Sequence, residues 1–216
     1  MKLRQIKTAR ELTDIVNEIG FIPLFKGCVG GFSVEELTCG NDWYEGSEGD
    51  PWSWREELAA EGIVAYAKLF RGRAGFVSME MYPHLANFRR EGYDFDARVD
   101  EGLVRDTERR LYDLVAGGMY LASDLRKAFG GKGFETALTA LQMRTYITIT
   151  GFERKRDRHG MPYGWSICCY STSEKAYGEE ICTGAYDMDP EESFRILEGR
   201  LHAAVPGADA RNLFKI

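Results

Sequence analysis

No stretch of the 216-residue chain approaches the ~18 to 20 consecutive apolar residues that would cross a bilayer, and no membrane partner is expected. The opening MKLRQIKTARELTD lacks the apolar core of a signal peptide, so a cytoplasmic location is expected. Histidine is scarce: His84, His159 and His202 lie far from one another and from the cysteines. The five cysteines, Cys28, Cys39, Cys168, Cys169 and Cys182, include no CxxC pair, which leaves no sequence signature for a metal site. An odd number of cysteines in a chain without an export signal points to reduced thiols. The glycine-containing turns GRAG at 72 and GGKG at 130 lack the Gly-Lys-Ser/Thr ending of a phosphate loop, and no cofactor is implied. Positive charge is also short: 28 Lys and Arg stand against 34 Asp and Glu, a formal net charge of −6. That balance argues against broad, non-specific attachment to nucleic acid.

Against this acidic background, four of the seven residues from Glu153 to His159 are Arg or Lys. The acidic residues collect elsewhere, as in EKAYGEEICTGAYDMDPEE near the C-terminus, with seven carboxylates and one lysine. The composition, 44% apolar and 29% charged, is that of a globular protein with room for a sizeable core.

Helical periodicity is clear in several places. Leu12, Ile15, Val16 and Ile19 share one face, and Gly20 follows as a C-terminal cap. Asp50 before Pro51 starts a helix that ends at Gly62, with Ser53 and Glu56 as a competing capping box. Residues 26–50 read mostly as loop, with a helical turn in SVEEL. IVAYAKLF and AGFVS flank the turn RGR and predict a hairpin. MEMYPHLANFRREG reads as a helix, and EGLVRDTERRLYDLVAGG as another with Val104, Leu111, Leu114 and Val115 inward. Between them YDFDARVDEG reads as a turn, whose Asp94, Asp96 and Asp100 would pair with Arg89, Arg90 or Arg98. Near the end, Asp189, Pro190 and Glu192 start a helix with Phe194, Leu197, Leu201 and Val205 as its apolar stripe.

From residue 101 the order is helix, short strand (MYLA), helix capped by Ser123, helix carrying Phe134, Ala137, Leu138 and Leu141, strand TYITITGF, basic tip, strand YGWSICCY. This is the layout of a winged helix, with the basic tip as its wing. The expected fold is therefore α+β, built of winged helix-turn-helix units with small antiparallel hairpins. Residues 1–100 form a helical and hairpin part, with a divergent winged-helix unit as one reading; 101–172 form the clearest unit; 173–216 form an acidic segment with one helix. In such an architecture the third helix can enter a major groove while the wing meets phosphates. The candidate DNA contacts are Lys132, Thr136, Thr139, Gln142 and Arg144 on the third helix and Arg154, Lys155, Arg156 and Arg158 on the wing. The opposing possibility is a hairpin tip kept charged for solubility.

A second candidate is aromatic. Trp43, Tyr44, Trp52 and Trp54 fall within twelve residues, with Arg55 adjacent, and could wall a pocket for a flat heterocycle. The preferred reading is a satellite core under a long loop.

Three strings carry a family resemblance: DPWSWREELAAEGIVAYAKLFRGRAGFVSMEMYPHLANFRR, GYDFDAR, and GFETALTALQMRTYITITGFERKRDRHGMPYGW. They resemble the AlkZ-related group, itself similar to the larger AlkZ and YcaQ winged-helix DNA glycosylases of bacteria. The resemblance covers about residues 15 to 175 and is most specific from Trp52 to Arg90. It implies a winged-helix body and DNA as partner. The larger enzymes carry a Gln-x-Gln or Gln-x-Asp motif after an early LG segment; the comparable stretch here, EIGFIPLF, places Ile22 and Leu24 at those positions. Neither side chain can accept a proton or hold a water. The expected function is DNA binding without base excision; the alternatives are base excision through a site the sequence does not identify, and a winged-helix module for protein or small ligands.

Overall fold

The computed structural model describes residues 3–38, 43–44 and 49–216. Its first helix, α1 (Ala9–Ile19), buries Leu12, Ile15, Val16 and Ile19 and is capped by the Thr8 hydroxyl, which accepts from the Glu11 amide. Gly20 ends it at φ 105°, and a Cβ there would meet the Met81 side chain at 2.4 Å, so only glycine closes this helix and lets the chain turn at once into the sheet. Strand β1 (Phe21–Pro23) follows directly. Its three residues are all buried, so it carries no alternation for a sequence reading to detect.

Helix α2 (Val34–Leu37) is the turn expected in SVEEL, capped by Ser33, whose hydroxyl accepts from the Glu36 amide and donates to the Glu36 carboxylate. Helix α3 (Pro51–Glu61) takes Asp50 as its cap in preference to Ser53: the Asp50 carboxylate accepts from the Trp52 amide, and the Ser53 hydroxyl donates to it as well. The hairpin of β2 (Val64–Phe70) and β3 (Arg73–Ser78) forms as expected, and β1 adds to β3, giving an antiparallel sheet in the order β1-β3-β2. Helix α4 (Tyr82–Arg90) has Pro83 in its first turn.

The segment read as a turn is instead a short helix, α5 (Phe95–Asp100), with Asp94 as its cap. Six residues are too few for a period to show, and three aspartates obscured it. The expected Asp–Arg pairs do not form: Arg90 pairs with Glu174, Arg98 with Glu91, and Arg89 donates to the carbonyls of Leu69, Met143 and Phe214. Helices α6 (Asp106–Ala116), α7 (Ala122–Phe129) and α8 (Phe134–Met143) come next. Helix α7 starts one residue before Ser123, which therefore does not cap it. The expected short strand reduces to one bridge, Leu121 to Cys169. Strands β4 (Ile147–Arg156) and β5 (Pro162–Thr172) form a long antiparallel hairpin.

The C-terminal segment holds more than one helix. Short α9 (Ser173–Tyr177) and α10 (Glu179–Thr183) precede the expected α11 (Pro190–Ala204), and α12 (Ala210–Phe214) follows it. Phe194 of α11 packs on Phe88 at 5.0 Å, Asn87 donates to the Met188 carbonyl and the Ser193 hydroxyl, and Phe214 stands edge-on to Phe21 at 4.9 Å. One cluster of buried apolar side chains draws on the stretches before residue 100, from 101 to 172 and after 173, so the fold is a mixed α+β body with a shared core. Among the described residues no helix is long and apolar enough to cross a membrane.

Candidate nucleic-acid interface

The β4–β5 hairpin begins in the core and ends in solvent. Ile147, Thr148 and Ile149 are buried, with the Thr148 hydroxyl donating to the Tyr66 carbonyl of β2. From Glu153 outward every residue to Trp165 is exposed. The Asp157 carboxylate accepts from the amides of His159 and Met161, and Arg156 donates to the Gly160 carbonyl, which fixes the tip. Arg158 donates to the His159 ring. Among the described residues no carboxylate forms a salt bridge with Arg154, Lys155, Arg156 or Arg158. Four cations thus share a narrow, solvated tip whose one aspartate is engaged by the turn, an arrangement that attracts a polyanion.

The ladder is interrupted near the base of this tip. Glu153 pairs with Ile167 and Lys155 with Tyr163, so Arg154 alone stands against Gly164, Trp165 and Ser166. Gly164 takes φ 73°, the left-handed conformation that a bulge of this kind requires. Bulges re-aim side chains, and here Trp165 is left 71% exposed. Tyr163 and Met161 are exposed beside it.

Trp165 meets the aromatic cluster that the sequence singled out. Its ring stands edge-on to Tyr44 at 6.3 Å, Tyr44 lies 5.0 Å from Trp52, and the Arg55 guanidinium covers Trp52 at 3.6 Å and Phe152 at 4.1 Å. Tyr44, Asp50, Trp52, Ser53, Glu56, Arg154 and the bulge residues enclose a cleft of about 310 Å³. The expected pocket is thereby redrawn. Trp54, 2% exposed, faces the core because the helical turn sets it away from Trp52. Arg55 is buried beneath Trp52 and is ion-paired to Glu56 at 3.2 Å, so it supports the wall without lining it. Trp43 leans on Phe25 and donates to the Thr38 hydroxyl. Tyr44 and Trp52 remain as walls, and Trp165 is the member that sequence reasoning missed; the glycine interrupting a strand pattern just before it was the available signal.

The outer face of α8 is less open than expected. Lys132 and Thr136 are exposed, but Thr139 accepts from Lys68, and Gln142 is completely buried. The Gln142 amide accepts from the backbone of Lys68 in β2 and donates to the Leu138 carbonyl, so its assignment as a surface contact is corrected. Arg144 is half-buried, 3.9 Å from Glu108. The Arg71–Gly72 turn and the C-terminal Lys215 and Ile216 wall this face into a cleft of about 790 Å³. A helix that reads a major groove must stand proud of its neighbours, and the C-terminal half of α8 does not.

Other chemistry is weaker. Ile22 and Leu24 are wholly buried, Ile22 paired with Phe76 in the sheet, so this stretch presents no polar group to a substrate. The four described cysteines are free, and burial pushes each thiol up, Cys169 to about 11 and Cys182 to about 12, which suppresses the nucleophilic thiolate. Cys39 lies outside the described residues. Among the described residues no group of three or more His, Cys, Asp or Glu could hold a metal.

No curated protein matches the sequence. Among solved structures, the Streptomyces sahachiroi DNA glycosylase AlkZ is similar, with 13% identity and a TM-score of 0.49 over 93% of this chain and 52% of that one. The chain therefore spans about half the length of that protein. The AlkZ-related family model matches residues 6–216, beyond the 15–175 covered by the sequence resemblance, and the chain belongs to that family.

Proposed function

We propose that the protein binds DNA through a winged-helix unit spanning residues 101–172, with the β4–β5 hairpin as its wing, and that it does not excise bases. The observation that carries this reading is the set of four exposed cations, Arg154, Lys155, Arg156 and Arg158, held on a turn-fixed tip without carboxylate partners among the described residues. The order α6, α7, α8, β4, β5, with Leu121 bridged to β5, supports the winged-helix assignment. Membership of the AlkZ-related family supports DNA as the polyanion. The burial of Ile22 and Leu24 supports the absence of excision, because positioning a water and stabilising charge on a sugar need polar groups at the reacting centre.

The test replaces all four cations with Ala and measures binding to a blunt duplex at low salt. Their exposure means the variant keeps its fold. We expect affinity to fall at least tenfold and the parent protein to release no alkylated base from DNA. Unchanged affinity contradicts the wing contact; base release by the parent, abolished by a point change in this chain, contradicts the second half of the proposal. One observation favours excision as a second reading: the Glu56 carboxylate lines the aromatic cleft.

A further inference from the structure

Trp165 raises a question that the wing's cations do not answer. An indole left 71% exposed has no packing role on its outer face, yet its inner edge belongs to a braced column. Trp165 meets Tyr44, Tyr44 meets Trp52, and Trp52 is covered by the buried Arg55, which also lies over Phe152 of β4. The inner end of the column is thus tied to the body, through α3 and through β4, and Trp165 of β5 is its outer end. A bulge with a left-handed glycine sets the indole in this position, and Arg154, directly across that bulge, lines the same cleft.

Flat π surfaces next to a cation are how proteins hold single-stranded nucleic acid: the ring takes the base and the cation takes its phosphate. The carboxylates of the cleft decide which part of a nucleotide enters. Asp50 accepts from the Tyr44 and Trp52 amides, and Glu56 Oε1 accepts from Arg55 and Ser166. Two anions in the wall exclude a phosphate from the cleft, while Arg154 and the tip beyond it attract one. In a duplex each base is stacked on its neighbours and cannot offer its face to Trp165.

We infer that the cleft between the base of the wing and α3 receives an unpaired nucleobase, stacked on the face of Trp165 with the Tyr44 ring at its edge, from a DNA strand whose phosphates lie along Arg154 and the wing tip. The inference rests on the reading of the wing as a DNA contact and names the DNA structure that this contact selects.

The experiment compares three labelled probes by anisotropy: a single strand, a blunt duplex, and the same duplex with one bulged base. Each is titrated with the parent, Trp165→Ala and Trp165→Phe. Base stacking on an aromatic side chain is worth ~1 to 3 kcal/mol, and each ~1.4 kcal/mol is tenfold. Trp165→Ala is expected to weaken the single strand and the bulge about tenfold, to leave the blunt duplex unchanged, and to be largely rescued in Trp165→Phe. A loss confined to one unpaired probe supports the inference and shows which context the cleft prefers. Unpaired probes bound equally by parent and Trp165→Ala overturn it while the wing contact stands. An equal loss on all three probes also overturns it, since Trp165 then serves duplex binding. A parent that binds none of them overturns the inference and the proposed function together.

Discussion

Trp54 and Trp52 are two residues apart on one helix and have opposite fates. The turn of α3 sends Trp54 into the core with Leu58, one turn away, and leaves Trp52 half-buried as a wall of the cleft. Truncating a buried indole typically costs ~3 to 5 kcal/mol. Trp54→Ala is therefore expected to lower the melting temperature by roughly 6 to 20 °C, at ~2 to 4 °C per kcal/mol for a chain of this size. Thermal denaturation followed by circular dichroism measures it, and an unchanged melting temperature contradicts the packing role. Gln142 shows the same logic with a polar group. Its amide is buried because β2 passes over it and supplies a backbone donor, a tertiary event with no local signature.

At the scale of elements, legibility followed length and punctuation. Helices α1, α3 and α11 start at a capping side chain, and α1, α8 and α11 bury the residues that spacing predicts, except Val205, which ends α11 as its half-buried cap. Strand β1 and helices α5, α9, α10 and α12 hold three to six residues each, too few for a period to emerge, and are ordered by what packs on them. The β4–β5 hairpin was legible as a basic loop between two strands, whereas its bulge was signalled only by Gly164, because a register shift depends on both strands. Capping offers a check on this account. Asp50 serves the α3 N-terminus and also accepts from the Tyr44 amide, so it ties the helix to the aromatic wall. Asp50→Ala is expected to cost about 1 kcal/mol or somewhat more, within the ~0.5 to 2 kcal/mol typical of a lost cap. Chemical denaturation should show a lower midpoint with an unchanged slope, and a variant as stable as the parent contradicts the role given to Asp50.

Over the whole molecule, the acidic C-terminal segment is fastened to the rest by buried polar contacts. Arg90 reaches Glu174 and Tyr186, and Arg89 holds the backbone of β2, the end of α8 and α12 together. A net charge of −6 opposes DNA overall, so the contact proposed at the β4–β5 tip depends on ionic pairing there. Each phosphate contact contributes ~0.9 to the slope of log affinity against log salt concentration, which makes the slope a count of contacts. The most direct measurement is that slope for a blunt duplex, in the parent and in the protein with Arg154, Lys155, Arg156 and Arg158 all replaced by Ala. The account predicts a parent slope steeper by about 3.6, the sum of four contacts at ~0.9 each; equal slopes in the two proteins would show that the basic tip does not touch the DNA backbone.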